Sequence, residues 1–594
     1  MTPSRDLVSF YSGRKNAFEG QCRKVEERIT TISWIRVSLI LIAGCLAYLG
    51  FDYEYLRIIL AGVLLLFAYF VRKHGQLNAE KRLLQNLTRI NDREVKAQQG
   101  DHSSFDDGAE FVDGHHPYTL DLDIFGKGSL FQRFNRTCSE PGKERLATIL
   151  SSPLHEIAAI KNRQQTVAEL SALVDYRQEF QAIGMIAPER KADQQRILDW
   201  LTLPTFVYGN RNKTWMLVVF PTAALLALLY WIIAGSIGPF IAVALTQWAI
   251  VGFHARRTML LHEYIGNKRS LLEKFVAHFA LLEKQDFRSP LAVELNHNSH
   301  EAQQQIRHLV SRSRALDLRL NAIANFLFNS VVLYDLQCVY RLEQWREKNR
   351  DHLAGWLKTN AEADSLNSLA SFAFNHPGFV LPEFTTDLAL MGEDLGHPLI
   401  PATERVCNDL SMSEGSSLWI ITGANMAGKS TFLRAVGVNV VIALAGSVVC
   451  ARRFVCPLME VHSGMRNTDS INEHQSYFYA ELQRLHGIVQ CLNEGRQLLI
   501  LLDEILKGTN STDKLAGSEE LVTQLVSHRC FALVATHDVA LGAMAERHAA
   551  IQNYHFEARI QNDELIFDYR LKPGVSTGKN ATFLMRKMGI IRSP

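Results

Sequence analysis

The chain has 594 residues, enough for several domains, and its 63 basic and 61 acidic residues give a formal net charge of +2. This balance excludes a strongly basic nucleic-acid coat protein and an acidic solvating tail as descriptions of the whole chain. Only 21% of the residues are charged, so some apolar segments need an explanation other than a soluble core. The nine cysteines include no C-x-x-C pair, which disfavours a disulfide scaffold and a zinc ribbon and predicts a reduced, cytosol-facing protein.

The first apolar region spans residues 32–71 and follows a polar segment, 1–31, in which we expect no removable signal peptide. Two uncharged runs, 37–51 and 58–71, flank a short acidic connection, and each is slightly short for a bilayer-spanning helix of roughly 20 residues. Arginines at the ends of the runs and aromatic residues near them are typical of a membrane interface. We therefore predict a first transmembrane hairpin at 32–71, with a buried hairpin of a soluble core as the alternative.

Residues 72–118 are predicted to form a charged helical stalk followed, from residue 101, by a linker rich in Gly, Asp and His. The patterns over 119–213 and 254–389 are helical, and they predict an all-α core domain in two parts. Leu320 to Tyr334 is a third apolar stretch with asparagines at i, i+4 spacing, which predicts an amphipathic or buried helix too short and too polar to span a bilayer.

The second apolar region, 214–253, is uncharged throughout and is interrupted in the middle by the sequence Gly235-Ser-Ile-Gly-Pro239. This pattern predicts a second transmembrane hairpin that splits the helical core; a buried soluble hairpin is the alternative here too. Lys and Arg flank both hairpins but are missing from the two connections inside them. By the positive-inside rule we expect an integral, four-span membrane protein with both termini and most of its mass in the cytoplasm.

Strand-like apolar runs alternate with helical patterns from about residue 390, which predicts an α/β domain over 390–594. A short apolar strand, 417–422, runs into the G-x-x-x-x-G-K-S sequence from Gly423 to Ser430 and then into a helix. A glycine loop between a strand and a helix lets backbone N–H groups surround phosphates. Lys429 would reach the β- and γ-phosphates of a nucleotide, and the Ser430 hydroxyl would bind Mg²⁺.

The apolar strand 498–502 delivers two acidic residues, Asp503 and Glu504, at the edge where parallel sheets bind ligands. Asp503 would hold Mg²⁺ through water, and Glu504 would deprotonate the attacking water, giving ADP and phosphate. A further strand ends at Thr536 and His537, where the imidazole would sense the γ-phosphate. The fold class predicted is therefore a P-loop NTPase domain of the ABC/MutS-like ATPase type, preceded by an all-α domain with two transmembrane hairpins.

The runs TGANMAGKSTFLR, SYFYAELQRL, LLDEILKGTNSTD and VATHD together resemble the ATPase domain of the MutS family of DNA mismatch-repair proteins. The stretch from Thr119 to Thr137 resembles the start of that family's helical core, and residues 1–118 have no counterpart of its mismatch-reading domain. The resemblance implies a head-to-head homodimer with two composite ATP sites, in which Ser476 reaches the nucleotide of the opposite subunit. It also implies that Gly508, Thr509, Ser511 and Asp513 pack across that interface. The nucleotide-binding residues it implies are Gly423, Asn425, Met426, Ala427, Gly428, Lys429, Ser430, Thr431 and Ser476.

The leading hypothesis is therefore a membrane-anchored, Mg²⁺-dependent MutS-like ATPase without mismatch recognition. Its candidate partners are the lipid bilayer, a second copy, DNA and an unidentified cytosolic or membrane protein. The alternatives are an ABC-type transporter or membrane-remodelling ATPase, and a nucleotide-dependent scaffold with negligible turnover. The sequence Gln475-Ser-Tyr-Phe-Tyr479 in place of the Leu-Ser-Gly-Gly-Gln signature counts against the transporter, and Glu504 counts against the scaffold.

Overall fold

The computed structural model describes residues 6–50, 53–189, 191–424, 426–466, 477–506, 511–561 and 564–576. Within them a helical region is followed by an α/β region with mixed sheets, which confirms the predicted order. The helices up to the α/β region are α1 Leu7–Leu49, α2 Glu54–Gln98, α3 Leu130–Phe134, α4 Glu140–Ser151, α5 Ile157–Ala172, α6 Val174–Gly184, α7 Lys191–Thr202, α8 Arg211–Ala234, α9 Gly238–Ile265, α10 Arg269–Glu283, α11 Pro290–Asp317, α12 Ala322–Val332, α13 Tyr334–Asn349 and α14 Leu353–Asn375.

The N-terminal helices α1 and α2 form one long antiparallel hairpin. Asp6 caps α1 by accepting the backbone N–H groups of Val8 and Ser9. At 43 residues α1 is about 65 Å long, so residues 7–31 continue the helix of the first apolar run instead of forming a separate segment. Near the base of the hairpin, apolar residues of both helices pack together and against α6, while the apolar residues toward the connection are exposed.

The second hairpin is formed by α8 and α9. Asn210 caps the start of α8 by accepting the N–H of Lys213 at 3.3 Å. Gly235, in a left-handed conformation with φ of 71°, ends the helix, so the Gly/Pro sequence makes the turn that was predicted. By length and composition, α1, α2, α8 and α9 are each sufficiently long and apolar to cross a membrane.

One segment differs from the sequence-based interpretation, and a second one is made more specific. Residues 101–118 were expected to be a linker, but Phe105 and Tyr118 are buried, and the Gln132 side chain donates to the Phe105 carbonyl oxygen at 3.0 Å. In the stretch 320–334, where an amphipathic or buried helix was predicted, α12 is a short amphipathic helix that ends at Val332 before Leu333, with φ of 51°, and it exposes most of its apolar side chains and buries the polar seam.

The described part of the α/β region carries ten strands and three α-helices. The strands are β1 Glu383–Thr385, β2 Ala389–Leu395, β3 Asn408–Ser413, β4 Leu418–Gly423, β5 Arg453–Pro457, β6 Glu460–Gly464, β7 Leu498–Asp503, β8 Phe531–Thr536, β9 Ile551–Gln561 and β10 Glu564–Pro573. The helices are α15 Lys429–Leu444, α16 Tyr477–Asn493 and α17 Ser511–Val526. A small mixed sheet has the order β1-β5-β2-β3, and the larger sheet has the order β10-β9-β4-β8-β7-β6.

In the larger sheet every neighbouring pair is parallel except β9 and β10, which form an antiparallel hairpin at one edge. Successive residues of the central strands point to opposite faces. Trp419, Leu499 and Leu533 join a core that is continuous with the helical region, whereas Ile420, Ile500 and Val534 pack with α16 and α17. Both faces are therefore covered, which leaves the carboxyl edge of the strands as the place for polar chemistry.

Candidate functional site

The candidate site lies where β4, β7 and β8 end side by side. The register pairs Leu502 of β7 with Val534 of β8, and Ile420 of β4 pairs with the same Val534. The glycine-rich loop after β4 and the polar residues after β7 and β8 therefore meet at one edge of the sheet, as we expected.

The loop after β4 depends on glycine. Gly423 has φ of 148°, and a Cβ atom there would lie 2.7 Å from the carbonyl oxygen of Phe556 in the neighbouring strand. Gly428, with φ of 110°, immediately precedes α15. Between them Met426 is exposed with φ of 69°, and Ala427 is buried. The loop thus brings backbone N–H groups to the N-terminus of α15, a favourable position for an anion; Asn425 lies outside the described residues.

Lys429 is the buried cation of the site. Its Nζ atom donates to the carbonyl oxygens of Gly423 at 2.6 Å and Ala424 at 3.0 Å. Burial lowers the pKa of Lys429, and the nearby charges of Asp503 and Glu504 act in the opposite direction. The ammonium is thus held on the inner side of the loop, next to the start of α15.

Ser430 and Asp503 form the candidate metal site. The Ser430 hydroxyl donates a hydrogen bond to a carboxylate oxygen of Asp503, which joins the first turn of α15 to the end of β7. A hydroxyl and a carboxylate are hard oxygen donors of the kind that Mg²⁺ prefers, so this pair fits a magnesium ion. Thr431, the next residue, lines a cavity together with Ser430 and Asp503.

Glu504 and His537 meet beside this pair. The Nδ1 atom of His537 lies 3.3 Å from Oε1 of Glu504, and the backbone N–H of Glu504 donates to the carbonyl oxygen of Ala535 at 2.8 Å. Glu504 has φ of 57°, an uncommon conformation for this residue type, and the bond to β8 holds it. A carboxylate at this position, next to an imidazole, can accept a proton from water.

A cavity of about 790 Å³ opens above these groups. Lys429, Ser430, Asp503 and Glu504 line one part of it. A second, mostly apolar part was missed by sequence reasoning, because its residues come from the small sheet, the loop after β2 and the edge hairpin: Leu395, His397, Leu399, Ile400, Pro401, Val406, Phe556 and Tyr569. Burial lowers the pKa of His397 to about 4, so its imidazole is neutral at neutral pH. A flat, uncharged ring system fits such a wall.

Glu481 of α16 is a further residue that sequence reasoning did not find. Its carboxylate accepts the backbone N–H of Leu506 at 2.6 Å, and Leu506 has φ of 59°. The bond fixes the chain just after the acidic pair, although 25 residues separate the two partners. A single glutamate on a helix gives no sequence signal for such a contact.

The predicted residues of the opposite-subunit contact are not all covered by the structure. Ser476, Gly508 and Thr509 lie outside the described residues. Asp513 lies in the first turn of α17, three residues after the gap that follows Leu506. Ser511 is the first residue of α17. The roles assigned to these five residues remain predictions.

Comparison with known proteins gives two family matches. A model described as MutS domain III matches residues 119–373, and one described as MutS domain V matches residues 419–588. Together they cover more than half of the chain. The second includes the glycine-rich loop, the acidic pair and His537.

Curated relatives point the same way. A DNA mismatch repair protein MutS of Sorangium cellulosum is 32% identical over 277 residues, covering 46% of this chain and 29% of that protein. MutS protein homolog 4 of Mus musculus is 30% identical over 242 residues, 39% of this chain and 25% of that protein. A DNA mismatch repair protein MutS of Thermus thermophilus is 32% identical over 235 residues, 39% of this chain and 28% of that protein. The matched region thus spans less than a third of each of these relatives.

Proposed function

Since the chain belongs to the MutS family, we propose that its α/β domain is a P-loop ATPase that binds ATP with Mg²⁺ and hydrolyses it to ADP and phosphate. We further propose that two apolar hairpins hold it in a membrane as a four-span protein with its catalytic mass in the cytoplasm. The observation that carries the ATPase proposal is the meeting of Lys429, Ser430, Asp503 and Glu504 at one carboxyl edge of the sheet.

The phosphates of ATP would lie between the glycine-rich loop and the start of α15. The Lys429 ammonium would turn from the loop carbonyl oxygens to the β- and γ-phosphates, because a charged phosphate oxygen is a stronger acceptor than a carbonyl. Ser430 and Asp503 would hold Mg²⁺, which supplies positive charge to the phosphate oxygens when bound. The apolar part of the cavity would receive the base.

Glu504 would accept a proton from a water molecule as the water oxygen attacks the γ-phosphorus. The bond from that phosphorus to the bridging oxygen then breaks, and ADP leaves with the electron pair. His537, at 3.3 Å, would orient the Glu504 carboxylate toward the water. The bond from Glu504 N to Ala535 O keeps the acidic pair at a fixed distance from β8.

The test of hydrolysis is Glu504→Gln, which keeps the shape of the side chain and removes its basicity. Phosphate release should fall by about 100-fold or more while ATP still binds, since a positioned general base contributes roughly 10² to 10⁴ in rate. Glu494→Gln is the matched control, because Glu494 lies just beyond α16 and pairs only loosely with Arg496, at 3.9 Å. Equal turnover in wild type and Glu504→Gln would remove Glu504 from the mechanism.

The membrane proposal is supported by the reversed burial of the two hairpins. Trp34 and Tyr48 on α1 are exposed, and so are Leu226 and Ile233 on α8, whereas soluble helices bury such faces. The chain should stay in the membrane pellet after an alkaline carbonate wash and enter the supernatant only with detergent. Release by the wash alone would contradict anchoring.

We also propose that two copies pair, since proteins of this family are known as dimers and the bound γ-phosphate would close the interface. With ATP, the Glu504→Gln protein in detergent should have twice the 67.1 kDa protein mass of one chain, and with ADP the mass of one. A mass that does not depend on the nucleotide would contradict ATP-driven pairing.

DNA is a candidate partner because the relatives matched include proteins named for DNA mismatch repair. Binding through phosphate contacts would weaken steeply with salt. A purified chain that retards duplex DNA at about 50 mM salt and releases it at higher salt would support this partner. Failure to bind at low salt would exclude it.

A further inference from the structure

Helix α12 has its burial pattern reversed relative to a soluble helix. Ile323 is 75% exposed, Phe326 60% and Leu327 55%, whereas Asn329 is fully buried and Ser330 is 5% exposed. In a soluble protein, apolar side chains are buried and asparagine usually faces water. The arrangement of α12 is the one expected where the surrounding medium is apolar.

The polar side chains of α12 are satisfied from within the protein. The Asn329 side-chain amide hydrogen-bonds Asn325 and donates to Asp335 at 3.3 Å, and its oxygen accepts the N–H of Asp335 at 3.0 Å. The Ser330 hydroxyl accepts from the Trp248 indole at 3.1 Å. The polar seam predicted from the sequence is thus an inward face, and the exposed face is left purely apolar.

The apolar face of α12 continues that of the second hairpin. α12 packs against both α8 and α9, and Phe326 stacks on Trp248 of α9 with ring centroids 5.8 Å apart. The hairpin also exposes large apolar side chains, such as those of Leu245 and Phe253. A medium that covers the hairpin would therefore meet α12 as well.

The length and the ends of α12 limit how far it can reach. Its 11 residues are about 16 Å long, roughly half of a hydrocarbon layer of about 30 Å. At Leu333 the chain bends by 82° into α13, which returns to the helical core. Asn321 caps the first turn by accepting the N–H groups of Ile323 and Ala324, so these two donors at the start of the helix are satisfied without water.

We propose that α12 is a short third membrane element, inserted beside the second hairpin into the acyl chains of one leaflet, and that the occupant of its exposed face is lipid. The inference rests on the proposed membrane anchoring and goes beyond it, because α12 alone, with 11 residues, is too short to span a bilayer. With α12 inserted in this way, the helical domain would be connected to the bilayer through α13 as well as through the two hairpins.

The test uses single-cysteine substitutions in the full-length chain in membrane vesicles with the cytoplasmic face outward. Ile323→Cys and Leu327→Cys probe α12. Leu226→Cys probes the second hairpin. Val293→Cys on α11 is the water-facing control, since the Val293 side chain is exposed on the surface of the helical domain. A charged, membrane-impermeant maleimide is added, and labelling of each substituted peptide is measured by mass spectrometry, which separates it from the nine native cysteines.

The expected result is that the introduced thiols of Ile323→Cys, Leu327→Cys and Leu226→Cys react about ten-fold or more slowly than that of Val293→Cys, because the thiolate needed for reaction does not form in hydrocarbon. After denaturation in SDS all four variants should react alike. If the two α12 variants react as fast as the water-facing control while Leu226→Cys is protected, the inference about α12 is overturned and anchoring stands. If Leu226→Cys reacts fast too, the anchoring proposal itself fails.

A second measurement separates lipid from a covering protein. Wild-type chain is reconstituted with phospholipids that carry a diazirine in the acyl chain, and the sample is irradiated. Lipid adducts on residues 323–328 as well as on α8 would support the proposal. Adducts on α8 alone would show that something other than lipid covers α12 and would overturn it.

Discussion

Residues with left-handed backbone geometry surround the candidate site at the carboxyl edge of the larger sheet. Met426, Glu504 and Leu506 all have positive φ, although none is glycine. Such conformations cost about 1–3 kcal/mol each and persist where neighbouring bonds enforce them. Here Ala535 accepts the Glu504 N–H, and Glu481 accepts the Leu506 N–H. The acidic pair is therefore placed by contacts from β8 and α16 and not by the sequence of β7 alone.

Gly423→Ala tests the close approach at the start of the loop. The added Cβ would lie 2.7 Å from the Phe556 carbonyl oxygen, so β4 or β9 must shift. ATP binding should weaken about ten-fold or more, equivalent to about 1.4 kcal/mol. Gly487→Ala on α16 is the control, because a Cβ there meets nothing within 4 Å. It should leave ATP binding unchanged and stabilise the helix by about 0.5–1 kcal/mol; equal weakening by both variants would contradict this interpretation.

His278 makes the stability of the helical core dependent on pH. Its ring is stacked on that of Phe180, with the ring centroids 3.8 Å apart, and its Nε2 atom lies 3.0 Å from the Phe180 carbonyl oxygen. Burial lowers the pKa of His278 to about 3, against an ordinary value of 6.5. Between these values the unfolded chain binds a proton that the folded chain does not, so stability falls as the pH is lowered below about 6.5.

The thermal unfolding midpoint should therefore fall from about pH 7 to about pH 5, and His278→Gln should reduce that fall. His115→Gln, which alters an exposed imidazole, is the control and should leave the slope as it is in the wild type. An unchanged slope in His278→Gln would show that His278 does not contribute to it.

Helix α13 joins the second hairpin to the helical core at two points. The Glu343 carboxylate accepts the N–H groups of Phe206, Val207 and Tyr208, in the turn before α8, at 2.8–2.9 Å. Further along, Pro221 inside α8 cannot donate to the Leu217 carbonyl oxygen, and the Gln337 amide donates to that oxygen at 2.8 Å instead. A movement of α13 would therefore displace α8 both at its start and at its proline.

Gln337→Leu should destabilise this junction by about 1–3 kcal/mol, because it leaves a buried carbonyl without a donor. Pro221→Ala supplies a backbone N–H to the same oxygen, so the loss caused by Gln337→Leu should largely disappear in the double variant. The measurement is a double-mutant cycle on the thermal midpoint in detergent. Additive effects would contradict a shared acceptor.

At the scale of elements, periodicity and turn residues in the sequence predicted some structural features and not others. The apolar runs of β4, β7 and β8 and the Gly/Pro turn at 235–239 were readable because each is a local pattern. The Gln337 contact to Leu217 joins residues 120 positions apart, and the apolar wall around His397 comes from several elements, so neither leaves a local signal. For α12 the composition was read correctly, but the sequence does not tell which side faces outward.

At the scale of the whole molecule, one buried network ties the first hairpin to the core. Glu94 of α2 pairs with Arg136, and its second oxygen accepts the Asn375 amide at 3.0 Å. Asn375 accepts in turn from the Tyr11 hydroxyl of α1 at 2.7 Å. Farther on, the Gln164 amide donates to the Pro382 carbonyl oxygen at 2.9 Å, just before β1. Hairpin, helical core and α/β region are thus joined by side chains as well as by the chain itself.

Glu94→Gln should weaken this attachment by about 3–5 kcal/mol, because Arg136 would keep a buried charge without its partner. We expect faster cleavage of the base of α1 and α2 under limited proteolysis and a lower thermal midpoint. Glu80→Gln, an exposed position on the same helix, is the control and should behave as wild type. Equal protection of both variants would show that the ion pair does not secure the hairpin.

Two hairpins leave the same helical core, and if both lie in one bilayer, as proposed, they limit the symmetry open to a pair of copies. A chain anchored at two separate places could not tumble, so each copy would present the same side to the lipid. The rotation axis that relates two such copies would then be parallel to the membrane normal. The two copies would then approach each other by movement within the plane of the membrane. Pairing would depend on the number of copies per unit of membrane area. A high density of copies in the bilayer would promote ATP hydrolysis, and dilution into detergent solution would abolish it.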